Sequence, residues 1–551
     1  MSDDTLPIPV VPPVPPPPRG QHRRSSSRVS WPEALSRTTG TMAVGTLLSR
    51  VTGFARVFAL AYALGINPFA DAYNLANNTP NIIFDLVLGG VLSATLIPVF
   101  VDRLATRSDD EAWHAISSVV TLAAVMLVVV TAIFAALAPA IISLYTLANH
   151  SAAAPDQRAV ATTLLRFFAP QVAFYGAIAL ITALLNARRR FVAPMFVPIL
   201  NNIVVIGVLV GAATVVQHPT LNGVRNNYGF LLLLGVGTTA GVVVQAVALL
   251  PSLWRARTHL RWRWDPRNET VRTILRLSAW TFGFVLTTQV SYFIVLAIAD
   301  SLSGGAVTAY NYAYVFFQLP FGIVTVSIMT AVQPALAERW AVGDLAAFRR
   351  RLTSGLQAVL ALLIPAAVGY LVLAKPVVAL VLGHGAAGAE GVQSTASTLA
   401  LFALGLPGFS TYLFSMRAYQ ATQDTRTPFF LYLIVAGLNV VLAFSLYHPL
   451  GVKGLALAYS IAYTVAAGVA LWDLRHKGVG IDFGMVARPV LRVCTISLLM
   501  ALVVALVSAA IGYTSGVGLL FRVLASVAAG LAVFVLGSGL AAHLSMRRGR
   551  A

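Results

Sequence analysis

The chain has 551 residues, 58% of them hydrophobic and only 10% charged, where a soluble domain carries about 25% charged residues. In water such a chain would expose large apolar patches and aggregate, which excludes a soluble enzyme, a secreted disulfide scaffold and a disordered protein. Its 38 Lys and Arg against 19 Asp and Glu leave a net charge of +19, which in a membrane protein marks cytoplasmic loops and not nucleic-acid binding.

Residues 1–36 form a separate region, with Pro12 to Pro18 reading as polyproline II and Arg23, Arg24 and Arg28 among serines. No apolar segment typical of a signal peptide is present there. The region reads as a disordered cytoplasmic tail whose arginines meet anionic headgroups, or as a dock for a partner of Pro-rich motifs.

Fourteen apolar runs of spanning length follow, near 40–64, 79–101, 117–143, 160–185, 194–216, 228–251, 274–299, 306–334, 355–382, 397–418, 428–447, 453–473, 489–512 and 517–541. Each is about 20 residues or more, enough for a membrane helix. They are apolar nearly all round, unlike barrel strands, which alternate every second residue. The predicted fold is an all-α polytopic membrane protein of about fourteen spans.

Loop charges predict the orientation. Alternate loops hold Arg103 and Arg107, Arg188 to Arg190, Arg255 to Arg272, Arg339 to Arg351, Arg417 and Arg426, then Arg475 and Lys477. The other loops hold only Arg158, Arg225 and Lys453. This asymmetry places both termini in the cytoplasm.

A faint repeat is visible. Asn186-Ala187 with Pro194 recurs as Gln420-Ala421 with Pro428, and Ala72-Tyr73-Asn74 as Ala309-Tyr310-Asn311, at offsets of 234 and 237. Two six-helix lobes are expected, over 37–272 and 273–478, with two added helices in 479–551. Such halves can rock about a central site.

No catalytic constellation appears. Cys494 is the single cysteine, the histidines are scattered, and no Walker A sequence exists. No metal or cofactor is predicted. Glycines such as Gly235 read as helix-packing residues, and Pro320 and Pro365 as kinks.

The informative signal is charge inside the membrane. Arg50 and Arg56 lie in the first run, about 9 Å apart along a helix. An arginine within a span usually faces a cavity or a partner. The alternative is a side chain that snorkels to the cytoplasmic interface, which suits Arg50 better than Arg56 with its apolar neighbours on both sides. Asp71, Asn74, Asn77, Asn78 and Asn81 follow, and the asparagines read either as caps of the second helix or as cavity groups. Asp85 sits among apolar residues and is expected to pair with an arginine of the first helix. Gln289, Asn311, Gln318 and Gln333 can line a lumen or bond between helices, while Asp300, at the outer end of its span, reads as an exposed loop acid in preference to a cation ligand.

The stretch from Gly45 to Arg56, with Leu48-Ser49-Arg50 and Gly53-Phe54-Ala55-Arg56, resembles the first helix of the MurJ (MviN) family of lipid II flippases. Asp71-Ala72-Tyr73 with Pro80-Asn81, Leu185-Asn186 with Arg190-Phe191, Gln318-Leu319-Pro320-Phe321-Gly322 and Asp424-Thr425-Arg426-Thr427-Pro428 match further family signatures over about residues 40–540. The resemblance implies two lobes around a V-shaped cavity, with Arg50 and Arg56 holding the diphosphate of the lipid-linked sugar. It also implies a bacterial inner-membrane location. The expected substrate-binding set is Arg50, Arg56, Asp71, Asn74, Asn81, Asp85 and Gln318. The expected partners are lipid II, membrane lipids and cell-wall synthesis proteins. Three family positions differ. An Arg-Arg pair stands here as Phe84-Asp85, a Glu-Gly as Gly89-Gly90, and an Asp-Arg as Tyr314-Val315.

The expectation is alternating-access flipping of lipid II. The rivals are export of another polyprenyl-linked oligosaccharide, and a membrane scaffold acting through the Pro-rich tail. A cation-coupled drug exporter should present an acidic cavity, which paired lumen arginines oppose.

Overall fold

The computed structural model describes residues 31–548 except 87–94, 303, 425, 480, 482 and 513–514. Side chains are described over 44–540, with 277–281 and 483 also left aside. Every regular element among the described residues is a helix. The first half runs α1 (Trp31–Leu64), α2 (Pro68–Phe84), α3 (Ile97–Thr106), α4 (Asp109–Ala136), α5 (Ala138–Tyr145), α6 (Ala154–Phe168), α7 (Gln171–Ala187), α8 (Val192–Val215), α9 (Leu221–Arg225) and α10 (Tyr228–Arg255). The second runs α11 (Glu269–Asp300), α12 (Ala306–Pro320), a π-helical turn (Phe321–Thr325), α13 (Val326–Ala341), α14 (Leu345–Leu382), α15 (Ala389–Leu404), α16 (Leu406–Ala421), α17 (Arg426–Leu450) and α18 (Val452–His476). Then come α19 (Phe483–Ile511) and α20 (Val517–Arg548).

Twelve helical segments are long and apolar enough to cross a membrane, and α15 with α16, bent by 50°, make a thirteenth. The remaining expected run, 79–101, is bounded by α2 and α3. Its centre, 87–94 with Gly89-Gly90, lies outside the described residues. So do residues 1–30 of the expected tail, while 31–36 already belong to α1, which carries Pro32 in its first turn.

The helices pack in two sets. α1 lies on α8, α8 on α10, and α2 on α6 and α7. In the second set α14 packs on α15, α12 on α15, and α18 on α15, α16 and α17. α11 touches α2, α4 and α5 on one side and α12, α17 and α18 on the other. α19 and α20 pair with each other and lean on α14. Close approach depends on small residues. A Cβ on Gly235 of α10 would fall 2.6 Å from Phe167 of α6.

The repeat is visible in the backbone. Arg189 and Gln423 end α7 and α16 with φ of 58° and 59°. The next amides, Arg190 and Asp424, bond back to the carbonyls of Leu185 and Tyr419 at 2.8 and 3.0 Å, as helix C-caps of this kind require. Both spans are also broken midway, α6 from α7 at Ala169–Pro170 and α15 from α16 at Gly405. Pro320, expected to kink its span, ends α12 and opens the π-helical turn.

Candidate functional site

α1 carries the two spanning arginines. Asn202 of α8 donates to Thr52 Oγ1 at 3.0 Å and to the Ser49 carbonyl at 3.3 Å, pinning the turn that holds Arg50. Arg50 is exposed and reaches across to the other half, where a Cβ on Gly322 would lie 2.8 Å from its Nη1. Arg56 is half-buried, and its charge acts on the hydroxyls of Tyr73, Tyr175 and Tyr312. Among the described residues neither arginine has an ion-pair or hydrogen-bond partner. Each is therefore a cation inside a span with its donors available to an anion.

Asp71 and Asn74 sit elsewhere, in a seam between the halves. α2 starts at Pro68, capped by Asn67, whose side chain accepts the amides of Phe69 and Ala70 at 3.0 Å. The asparagines after Asp71 are therefore inside the helix and do not cap it. The corresponding N-cap of α12 is Gly305, which has no side chain to offer. Asp71 supplies the cap from across the seam. Its carboxylate accepts the amides of Gly305 and Thr308 at 2.6 and 2.8 Å and the Thr308 hydroxyl at 2.6 Å. Asn74 adds a bond to the same hydroxyl at 3.0 Å. Asp71 is 2% exposed, so an unpaired carboxylate here would be costly. Gly305 has φ of 93°, and a Cβ on it would fall 2.8 Å from the Ile66 carbonyl oxygen. Both the turn and the close approach require glycine.

Three more bonds close this end of the molecule. The Ala386 amide donates to the Tyr62 carbonyl at 2.9 Å. Asp300, at the end of α11, accepts Asn149 Nδ2 at 3.1 Å and Gln157 Nε2 at 2.5 Å. The reading of Asp300 as an exposed loop acid is corrected, since it is 3% exposed. It comes to lie under α6 because α11 packs against α5.

Asp85 does not meet an arginine, contrary to expectation. It accepts Gln289 Nε2 of α11 at 3.0 Å. The helical period explains this. Fourteen residues separate Asp71 from Asp85, four turns less about 40°, so both lie on the α2 face that looks at the second half. Asp85, Gln289, Tyr292, Tyr314, Asn439 and Tyr459 line a cavity of 250 Å³ between α2 and the second set. Gln318 joins it through Tyr314, whose hydroxyl accepts Gln318 Nε2 at 2.6 Å. Tyr314, standing where the resemblance expects an acid, makes this wall aromatic. Phe84, standing for an arginine, meets the Tyr175 ring at 5.7 Å. Asn81 bonds back to the Asn77 carbonyl at 3.1 Å and lies beside Tyr175.

The predicted residues thus form three groups: Arg56 with Asn81 around Tyr175, Asp71 with Asn74 in the seam, and Asp85 with Gln318 at the cavity. Arg50 stands apart against Gly322. The sequence reasoning missed Thr308 and Tyr175. Thr308 had a signal, since it occupies the Asp71 position of the repeat at the same offset of 237. Arg166 of α6, exposed within a span, was also passed over.

The Asp424 motif is structural. Asp424 accepts the Arg426 and Thr427 amides at 3.1 Å, the Thr427 hydroxyl at 2.7 Å and Lys477 Nζ at 2.8 Å. Burial pushes its carboxyl up, but Lys477 and Thr427 outweigh that and hold it at about 2. Lys477 also pairs with Asp473 at 3.0 Å, tying the α16–α17 turn to the end of α18.

Two helix sets, closed at one end by buried carboxylates and carrying, among the described residues, arginines without partners within the spans, define a multi-pass membrane transporter. The profile of the family described as "Lipid II flippase MurJ" matches residues 60–526, and the chain belongs to that family. A probable lipid II flippase MurJ of Rhizobium meliloti (strain 1021) is 29% identical, covering 81% of each chain. One from Thermotoga maritima is 26% identical, over 79% of this chain and 84% of its own. A lipid II flippase MurJ of Burkholderia cenocepacia is 27% identical over 81% and 84%. A solved structure described as lipid II flippase MurJ in an inward closed conformation shares the fold, with a TM-score of 0.76, 22% identity and coverage of 92% and 99%. An inward-facing MATE-family multidrug transporter of the MOP superfamily reaches 0.65 at 16% identity, over 77% and 94%.

Proposed function

We propose that this protein flips lipid II from the cytoplasmic to the outer leaflet of the bacterial plasma membrane by alternating access, with no chemical step. Both termini and the arginine-rich turns face the cytoplasm in this reading. The moving bodies are residues 37–272 and 273–478, with 479–551 outside them.

One observation carries it. Among the described residues, the hydrogen bonds between the halves cluster at the end away from the arginine-rich turns, with Asp85–Gln289 further along and a single exposed contact, Arg107 to Glu269 at the start of α11, at the opposite end. A molecule latched on one side admits its cargo from the other. Arg50 and Arg56 then meet the diphosphate, because guanidinium forks pair well with phosphate oxygens in a low dielectric. Fewer cations than the family pattern hold the headgroup, and tyrosine and amide groups near Asp85 offer hydrogen bonds to its sugars. An inside-negative potential favours outward movement by about 2.3 kcal/mol per negative charge per 100 mV. Cell-wall synthesis proteins are the partners that the Pro-rich tail would recruit.

The test uses proteoliposomes holding the full chain and labelled lipid II. An impermeant reagent should reach lipid II delivered to the far leaflet only when the protein is present. Equal access in protein-free vesicles, or transfer of another polyprenyl-linked glycan in its place, would overturn the substrate.

A further inference from the structure

A second polar cavity, of 510 Å³, lies at the arginine-rich end between the starts of α4 and α11 and the segment joining α10 to α11. Two of its lining groups are buried donors without an acceptor among the described residues, Trp113 Nε1 and Arg103 Nε. Trp113 is 4% exposed and held between His259, stacked at 6.0 Å, and the Arg188 guanidinium at 5.1 Å. A buried donor left unpaired is costly, so this site is built for a ligand rich in acceptors.

The joining segment shows where that ligand comes from. The amides of Arg261 and Arg263 donate to Ser117 Oγ and Thr121 Oγ1 of α4, at 3.1 and 3.0 Å. Four residues rise about 6.0 Å along a helix, and two residues rise about 6.6 Å along extended chain. The match lays the segment extended on α4, with side chains alternating in direction. Arg261 and Arg263 line the cavity. Trp262 and Trp264, between and after them, are 73% and 59% exposed, as residues that anchor in a headgroup layer are.

Charge narrows the ligand further. Arg103, Arg107, Arg261 and Arg263 face Asp110, Glu111 and Glu269, which leaves one net positive charge with the histidines neutral. Glu269 is loosely held, at 3.4 Å from Arg107 and 4.0 Å from Arg103, with its side chain 75% exposed. A singly charged phosphodiester can replace it on both arginines.

We propose that this cavity binds the headgroup of an anionic phospholipid from the adjacent leaflet, apart from the site for transported lipid. Native mass spectrometry of the full chain in detergent tests it, with phosphatidylglycerol, phosphatidylcholine, inorganic phosphate and a polyprenyl diphosphate as probes. Phosphatidylglycerol should be retained over phosphatidylcholine. The double variant Arg261→Ala with Arg263→Ala should bind it about thirtyfold more weakly, from the usual worth of two basic residues at an anionic surface. Trp113→Phe removes only the donor and keeps the ring, and it should weaken retention while the melting temperature holds. Equal retention of the two phospholipids, or unchanged binding by folded variants, overturns the proposal. Preference for inorganic phosphate overturns the lipid source, and preference for the polyprenyl diphosphate would make the cavity a substrate entry point instead.

Discussion

Asp71 and Thr308 occupy the same position in the two halves, 237 residues apart, and they are bonded to each other twice. The repeat therefore meets itself at the closed end. One copy, α2, is capped by its own Asn67. The other, α12, starts at a bare Gly305 and borrows the Asp71 carboxylate. A helix that takes its cap from the opposite half is released when the halves part, which makes this contact a latch.

Asp71→Ala removes the acceptor and leaves two buried amides unpaired, at a cost of about 1–3 kcal/mol. Hydrogen–deuterium exchange at Gly305 and Thr308 should quicken about tenfold or more, while exchange in α17 stays unchanged. Unchanged protection at Gly305 would show that the latch does not hold this end.

Gly305→Ala and Gly322→Ala should differ sharply. The first places a Cβ near a rigid carbonyl in a left-handed backbone, and should cost about 1–2 kcal/mol or more. The second meets only the end of the flexible Arg50 side chain, and should stay within about 0.5 kcal/mol. Thermal unfolding in detergent compares them.

Asp424→Ala should lower stability by about 1 kcal/mol through the lost cap of α17. The carboxyl is held below its ordinary value of 3.8, at about 2. Its contribution is therefore complete above about pH 4 and fades as pH falls toward 2. The gap between parent and variant melting temperatures should narrow over that window and stay constant from pH 5 to 8.

Arg56→Ala should abolish complementation of a flippase-depleted strain while leaving membrane insertion intact. Immunoblotting of membranes beside growth curves separates the two effects. Normal growth with this variant would remove Arg56 from substrate binding.

The spans were legible because their signal is a long run of apolar residues, and the first-helix arginines because charge is rare in such runs. Asp85 was legible as an acid within a span but not its partner, since Gln289 is 204 residues away and pairing depends on how α2 turns its face. Asp300 misled because a span end looks solvent-exposed until α6 is packed over it. The start of α2 was placed late because its first turns are polar, rich in asparagines that face a protein seam and not lipid. Thr308 carries no charge, and only the repeat offset points to it.

The central claim is that this chain moves lipid II outward, and the most direct measurement is precursor accessibility on the outer leaflet during depletion of the gene. Accessible lipid II should fall while the inner pool accumulates, and the parent chain should restore it where Arg56→Ala does not. Continued crossing of lipid II, with another lipid-linked glycan accumulating inside, would contradict the substrate and leave only the fold standing.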